Sequence, residues 1–99
     1  MQYPLAARQG GNASLLNIAA AGAVVKATPG TIWSVHMTTA NTVAGGIYDC
    51  ATVGAAAAAN LIAVIPVGAV GDIIRGPFPC QTGIVVIPGT SGVASAGYN

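Results

Sequence analysis

The sequence predicts an all-β fold: a small antiparallel β-sandwich, jelly-roll-like domain or barrel, with an extended N-terminal arm. Short runs rich in Val, Ile and Thr recur along the chain, and Gly, Pro and Asn separate them, as is typical of strands joined by turns. Eight such runs within about 85 residues match the spacing of a sandwich or barrel. The length of 99 residues is enough for one domain with a modest core.

Residues 1–13 are predicted to form the arm, and residues 14–99 the single β domain. Tyr3 and Leu5 give the arm a small apolar end, and residues 10–12 (Gly-Gly-Asn) supply a flexible joint. Two interpretations remain open: a frayed terminus, or an arm that docks on a neighbouring subunit. In the second, Tyr3 and Leu5 are candidate interface residues.

The predicted strands are residues 14–20, 23–28, 31–39, 46–50, 61–66, 72–75, 83–87 and 93–98. Between the fourth and fifth strands lies an alanine-rich segment, residues 54–60. Alanine favours helix, but so short a segment is marginal as an isolated helix. We therefore expect a helical turn or a close-fitting loop there.

The tripeptide Pro-Gly-Thr occurs twice, at residues 29–31 and 88–90. Proline presets a negative φ and glycine accepts a positive φ, so each copy fits the centre of a type II turn. The first copy is predicted to join the second and third strands.

Alternation along the third strand predicts that Trp33, Val35 and Met37 share one face, with His36 on an opposite, polar face. Trp33 is expected to anchor the core or an interface, the core being the more ordinary role. Residues 84–87 (Ile-Val-Val-Ile) are apolar on both faces. Since an antiparallel strand of this kind needs cover on each side, we expect another subunit to contribute it. Ile84 and Val86 are the candidate interface residues.

Charged groups are scarce. The charged side chains are Arg8, Lys26, Arg75, Asp49 and Asp72, with one histidine, His36. Soluble monomers devote about a quarter or more of their surface residues to charge, so this chain is expected to associate as a homo-oligomer. A net charge of +1, with its basic residues far apart, argues against nucleic-acid binding.

The uncharged stretch of residues 51–71 is long enough to cross a bilayer. It is rich in alanine and interrupted by Asn60, Pro66 and Gly68, so no membrane association is expected. The first residues lack the basic and apolar regions of a signal peptide, which predicts synthesis without export. Cys50 and Cys80 are then expected to be free buried thiols, although a bridge between them stays open.

No cofactor, metal or catalytic site is predicted. One histidine and two cysteines thirty residues apart fall short of a zinc ligand set. His36 lacks an identifiable nucleophile and orienting partner. Asp49 and Asp72 are interpreted as turn-capping residues, with Asp72 and Arg75 as a surface ion pair. The chain is therefore not expected to be an enzyme.

Four parts of the chain resemble a known group of proteins: KATPGTIWSVHMTT, GGIYDCATVGAAAAANLIAVIP, GPFPCQTGIVVIPGTSG and the closing Tyr98. Over roughly residues 26–98 the sequence resembles small virion proteins of tailed bacteriophages, especially capsid decoration or cement proteins. The resemblance implies a compact β domain, often trimeric, on the capsid exterior of a virion assembled in the host cytoplasm. It implies that the partner is the major capsid protein, and it carries no defined functional residues.

Two other functions remain as alternatives. One is a tail, neck or fibre component of the virion. The other is a soluble, lectin-like binding module, for which the chain offers only Trp33, Phe78 and three tyrosines as aromatic platforms.

Overall fold

The computed structural model describes residues 13–99, and these residues form a β-sandwich of two four-stranded antiparallel sheets. The predicted arm, with Tyr3 and Leu5, lies outside the described residues except for its last residue, Ala13, which begins the first strand. The strands are β1 (Ala13–Ile18), β2 (Ala23–Lys26), β3 (Gly30–Thr39), β4 (Gly45–Tyr48), β5 (Leu61–Ile65), β6 (Gly71–Cys80), β7 (Ile84–Ile87) and β8 (Val93–Tyr98). All eight predicted strands are confirmed, most of them within two residues at each end.

The strands are wound in the order of a jelly roll. Sheet A has the order β1-β8-β3-β6, and sheet B has the order β2-β7-β4-β5. Strands β1 to β4 thus pair in turn with β8, β7, β6 and β5, and this double ribbon is wrapped so that β8 also lies beside β3 and β7 beside β4. Such a winding, with two sheets facing each other, is the double-sheet jelly roll.

Branched aliphatic side chains from both sheets fill the space between them. The core includes Ile32, Val35 and Met37 from β3, Ile47 from β4, Ile65 from β5, and Ile84 and Val86 from β7. Because β-branched residues are stiff and pack well on a pleated surface, this composition suits a thin sandwich core. Burial of these side chains is the main stabilising contribution to the fold.

A bulge in β3 overturns the predicted position of Trp33. Ile32 and Ser34 pair with neighbouring strands on both sides of β3, while Trp33 has no partner in either ladder. The extra residue shifts the alternation by one, so that Ile32 joins Val35 and Met37 in the core. Trp33 is only partly buried, and its indole Nε1 donates a hydrogen bond to Asn99 Oδ1 (3.1 Å). The core role expected for Trp33 is therefore wrong.

Strand β6 is longer than predicted, because it continues through Pro77 and Pro79 to Cys80. Proline cannot donate a backbone hydrogen bond, and within sheets it is confined largely to edge strands and bulges. Strand β6 satisfies both conditions, since it is the edge of sheet A and its pairing with β3 shifts register beside Gly76 and Pro77.

The two Pro-Gly-Thr tripeptides behave differently. Gly89 has a φ of 99°, but the hydrogen-bonded turn between β7 and β8 is centred on Thr90 and Ser91, where the N–H of Gly92 donates to the carbonyl of Gly89 (2.9 Å), and not on Pro88 and Gly89 as predicted. Gly30 is instead the first residue of β3 and has no positive φ. The first copy does not close a hairpin, because β2 belongs to sheet B and β3 to sheet A.

The alanine-rich segment forms two short 3-10 turns, Val53–Ala55 and Ala58–Asn60. Asn60 closes this segment: its Oδ1 accepts a hydrogen bond from the backbone N–H of Ala57, and its Nδ2 donates to the carbonyl of Ala55 (both 2.9 Å). Most of its alanines are exposed. Within residues 13–99, no helix has the length and apolar character needed to cross a bilayer.

Candidate functional site

The bulge of β3 opens a shallow groove on the outer face of sheet A. The groove has a volume of about 490 Å³. Its lining includes Trp33, Ser34 and His36 from β3 and Asp72, Arg75 and Pro77 from β6. Because two residues of a bulge can point to the same side of a strand, Trp33 and Ser34 both reach this face. We call this site the bulge groove.

An ion-paired cluster forms the polar side of the bulge groove. Arg75 contacts one carboxylate oxygen of Asp72, and His36 Nε2 lies 3.6 Å from the other. The predicted ion pair between Asp72 and Arg75 is thus present. It joins residues on a sheet strand, so the turn-capping role expected for Asp72 is not what the structure shows.

Ser34, His36 and Asp72 line the same groove but lack the geometry of a catalytic triad. The distance from His36 to Asp72 is longer than a hydrogen bond, and Asp72 is shared with Arg75. Among the described residues, no side-chain hydrogen bond links Ser34 to His36. The groups that would activate a serine are therefore not aligned as nucleophilic catalysis requires.

A second surface, the outer face of sheet B, is apolar. In the ladders of sheet B, Val85 lies opposite Val24 and Tyr48, and Tyr48 lies opposite Leu61. Cross-strand partners share a face, so these side chains form one continuous layer, to which Val64 adds an exposed edge. No member of this layer is charged. We call these five residues the apolar face.

The structure corrects the candidate interface residues on β7. Ile84 and Val86 are fully buried and belong to the core between the sheets, so they face away from any partner on the outside. The outward side chains are Val85 and Ile87. Val85 is also fully buried, which shows that neighbours in the same chain supply the cover that was expected from another subunit.

The side chains of Tyr48 and Leu61 lie over a glycine of the same sheet, Gly46. A Cβ at Gly46 would lie 2.6 Å from Leu61 Cδ1 and 3.2 Å from Tyr48 Cε1. The side chains that then remain open to solvent on the apolar face are Val24, Leu61 and Val64.

The four edge strands differ in how they are protected against pairing with another chain. Strand β1 has a register shift, and its Asn17 has a φ of 61°; β2 is short, has a register shift and ends in Lys26. Strand β6 has two prolines and two charged side chains, Asp72 and Arg75. Strand β5 (Leu-Ile-Ala-Val-Ile) is also short and its pairing with β4 has a register shift, but it has neither proline nor charge, and its edge adjoins the apolar face. Edges with so few protecting features are templates for strand pairing.

Asn41 fixes the loops at one end of the sandwich. It is the buried polar residue of the described chain, with 2% of its surface exposed. Its Nδ2 donates to the carbonyl of Pro88 (2.8 Å), and its Oδ1 accepts from the N–H of Gly68 (2.7 Å). The loops before β4, before β6 and before β8 are thereby held together.

Asp49 fixes a loop at the other end of the sandwich. Its carboxylate accepts hydrogen bonds from the backbone N–H groups of Gln81, Thr82 and Gly83 (2.8 to 3.3 Å). These bonds favour the ionised form and lower the pKa of Asp49. The turn-capping role predicted for Asp49 is confirmed, although the turn is more than thirty residues away in sequence.

Cys50 and Cys80 are free and buried, as expected. Burial raises the pKa of both thiols, and that of Cys80 reaches about 11. Among the described residues, no three side chains of His, Cys, Asp or Glu converge on a point where a metal ion would be held.

Strand order defines a jelly-roll β-sandwich, in which the outer face of sheet A carries the bulge groove and the outer face of sheet B carries the apolar face. No family model, curated protein or solved structure matches this chain.

Proposed function

We propose that this chain is a structural virion protein, a capsid decoration or cement protein that stabilises a phage head by bridging subunits of the major capsid protein. The apolar face carries the proposal. An uncharged layer beside an edge strand without proline or charge is the arrangement that a subunit buries in an assembly, because an isolated domain would leave it to associate at random.

The distribution of charge supports the same proposal. Three of the Asp, Lys, Arg and His residues at positions 13–99 line the bulge groove on the opposite sheet, and none of the five residues of the apolar face is of these types. The two outer faces therefore suit different surroundings. Sheet B packs against copies of the chain or against the capsid, and sheet A faces solvent.

Many identical contacts allow each single contact to be weak. In a shell, a subunit that touches several neighbours gains affinity by multivalency, without a deep binding site or a strong pair of charges. The uncharged valine, leucine and tyrosine side chains of the apolar face are consistent with such contacts. A homotrimer is the expected unit of assembly.

Sedimentation equilibrium of the purified full chain tests the self-association, and a cryo-electron map of the particle that contains it tests the location. We expect a stable oligomer, and copies over the whole shell with sheet B inward. A monomer at high concentration contradicts the self-association. A few copies confined to the tail or neck would replace the capsid role by the alternative virion role.

A further inference from the structure

The bulge groove has features of a ligand site that the proposed assembly function does not use. It lies on the outer face of sheet A, opposite the apolar face. Positions 13–99 hold five Asp, Lys, Arg and His residues, and three of them, His36, Asp72 and Arg75, line this one depression beside the chain's single tryptophan.

The charges of the groove nearly cancel. Arg75 and Asp72 contact each other, so neither a carboxylate nor a phosphate meets an uncompensated positive charge. A cation is likewise opposed by Arg75. The site therefore favours a neutral ligand, while the ion pair still offers both donors and acceptors at its rim.

Trp33 gives the groove an apolar platform of fixed orientation. Its indole N–H is already bonded to Asn99 Oδ1, so what the ring offers a ligand is its hydrocarbon surface. Beside it are the hydroxyl of Ser34 and the imidazole of His36, which form no side-chain hydrogen bond with other described residues. One apolar platform and several convergent polar groups are the usual composition of a ligand site.

A peptide that binds by adding a strand fits this site poorly. Such a peptide would lie along the free edge of β6, where Pro77 and Pro79 lack the backbone N–H that a regular added strand needs. A neutral pyranose fits better, because it has an apolar face of C–H groups and a rim of hydroxyls that both donate and accept.

We propose that the bulge groove binds a neutral saccharide, with a pyranose ring stacked on Trp33 and its hydroxyls bonded to Asp72, Arg75, His36 and Ser34. This proposal is independent of the assembly function: it concerns the other sheet and stands or falls by its own test.

The single tryptophan makes the test specific, since all tryptophan emission reports on the groove. The full chain is titrated with maltohexaose, cellohexaose, chitohexaose and mannohexaose, up to about 10 mM, where a Kd near 1 mM gives almost complete saturation. Inorganic phosphate and an uncharged hexapeptide are titrated in parallel. We expect a saturable emission change with at least one saccharide and none with phosphate or peptide.

Variants then locate the binding. Asp72→Asn keeps the shape but removes a charged acceptor, and should weaken binding about tenfold or more. Asp49→Asn makes the same chemical change at a distant turn and should leave the affinity unaltered. Trp33→Phe, followed by calorimetry, should also weaken binding, and circular dichroism checks that each variant is folded.

Three results would overturn the proposal. The first is that no saccharide of the panel binds. The second is that phosphate or the peptide binds instead. The third is that a saccharide binds equally well to Asp72→Asn and Trp33→Phe.

Discussion

Single side chains hold the ends of this sandwich together. Asn41 and Asp49 each bond to backbone groups far away in sequence, and each sits where loops from different strands meet. The type of residue at these positions is predictable, since Asn and Asp are frequent in turns. Their partners are not, because the loops meet only when both sheets have formed.

Asn41 and Asn60 form a matched pair for measuring the effect of burial. Each side chain makes one donor and one acceptor bond to backbone groups, but Asn41 is buried and Asn60 is reached by solvent. Asn41→Ala should lower the free energy of unfolding by about 2 kcal/mol, because a buried carbonyl loses its partner, and Asn60→Ala by less than about 1 kcal/mol. Urea denaturation measures both, and equal losses would contradict the role assigned to Asn41.

Asp49 should make stability depend on pH in the acid range. Because its pKa is lower in the folded state, its contribution is present above the unfolded value of about 3.9 and is lost as the pH falls through the folded pKa. Asp49→Asn should be less stable than the parent by about 1 kcal/mol at pH 7. Thermal unfolding should show this gap closing below about pH 4. A gap that stays constant down to pH 2 would mean that ionisation of Asp49 is irrelevant.

At the scale of elements, the position and type of each strand were predictable, and the face of a strand was not always so. The alternation of inward and outward side chains, with a period of two residues, can be read from the sequence wherever the ladder is regular. In β3 the bulge inserts Trp33, and nothing in the residues 31–39 reveals which of them is the extra one. The Gly-Pro sequence at residues 76–77 on the opposing strand is the one local sign of an irregular ladder.

Lysine substitutions test which residues of β3 face the core. Ile32→Lys should prevent folding, because it places a charge in the core without a partner. Trp33→Lys should fold, since a long side chain at this position can extend into solvent from the outer face. Far-ultraviolet circular dichroism and a cooperative thermal transition distinguish them. The opposite result is what simple alternation along the strand predicts.

At the scale of the whole molecule, the chain has two unlike exteriors. Sheet A carries the bulge groove, and its edge strand β6 is protected by prolines. Sheet B carries the apolar face and the edge of β5, which has neither proline nor charge. The scarcity of charge predicted association from composition alone. The arrangement of strands in the two sheets determines which surface is apolar, and this is the surface that we propose to associate.

Valine-to-lysine substitutions test that surface. Val64 and Val43 are similarly exposed, at 56% and 54%, but Val64 is on the apolar face and Val43 is in the loop between β3 and β4. Val64→Lys should dissociate the oligomer, since burying an unpaired charge in an interface is costly, whereas Val43→Lys should leave it intact. Analytical ultracentrifugation measures both. Dissociation by Val43→Lys alone would move the interface to the loop end.

The linear sequence was sufficient for the all-β class, the eight strands, the free thiols and the turn role of Asp49, because each depends on the local preferences of residues or on overall composition. Other features depend on pairing between strands far apart in the chain. These are the jelly-roll winding, the outward position of Trp33, the inward positions of Ile84 and Val86, and the placement of His36, Asp72 and Arg75 in one groove. A one-residue shift in such a ladder exchanges the two faces of a strand, and only the register of the folded sheets determines it.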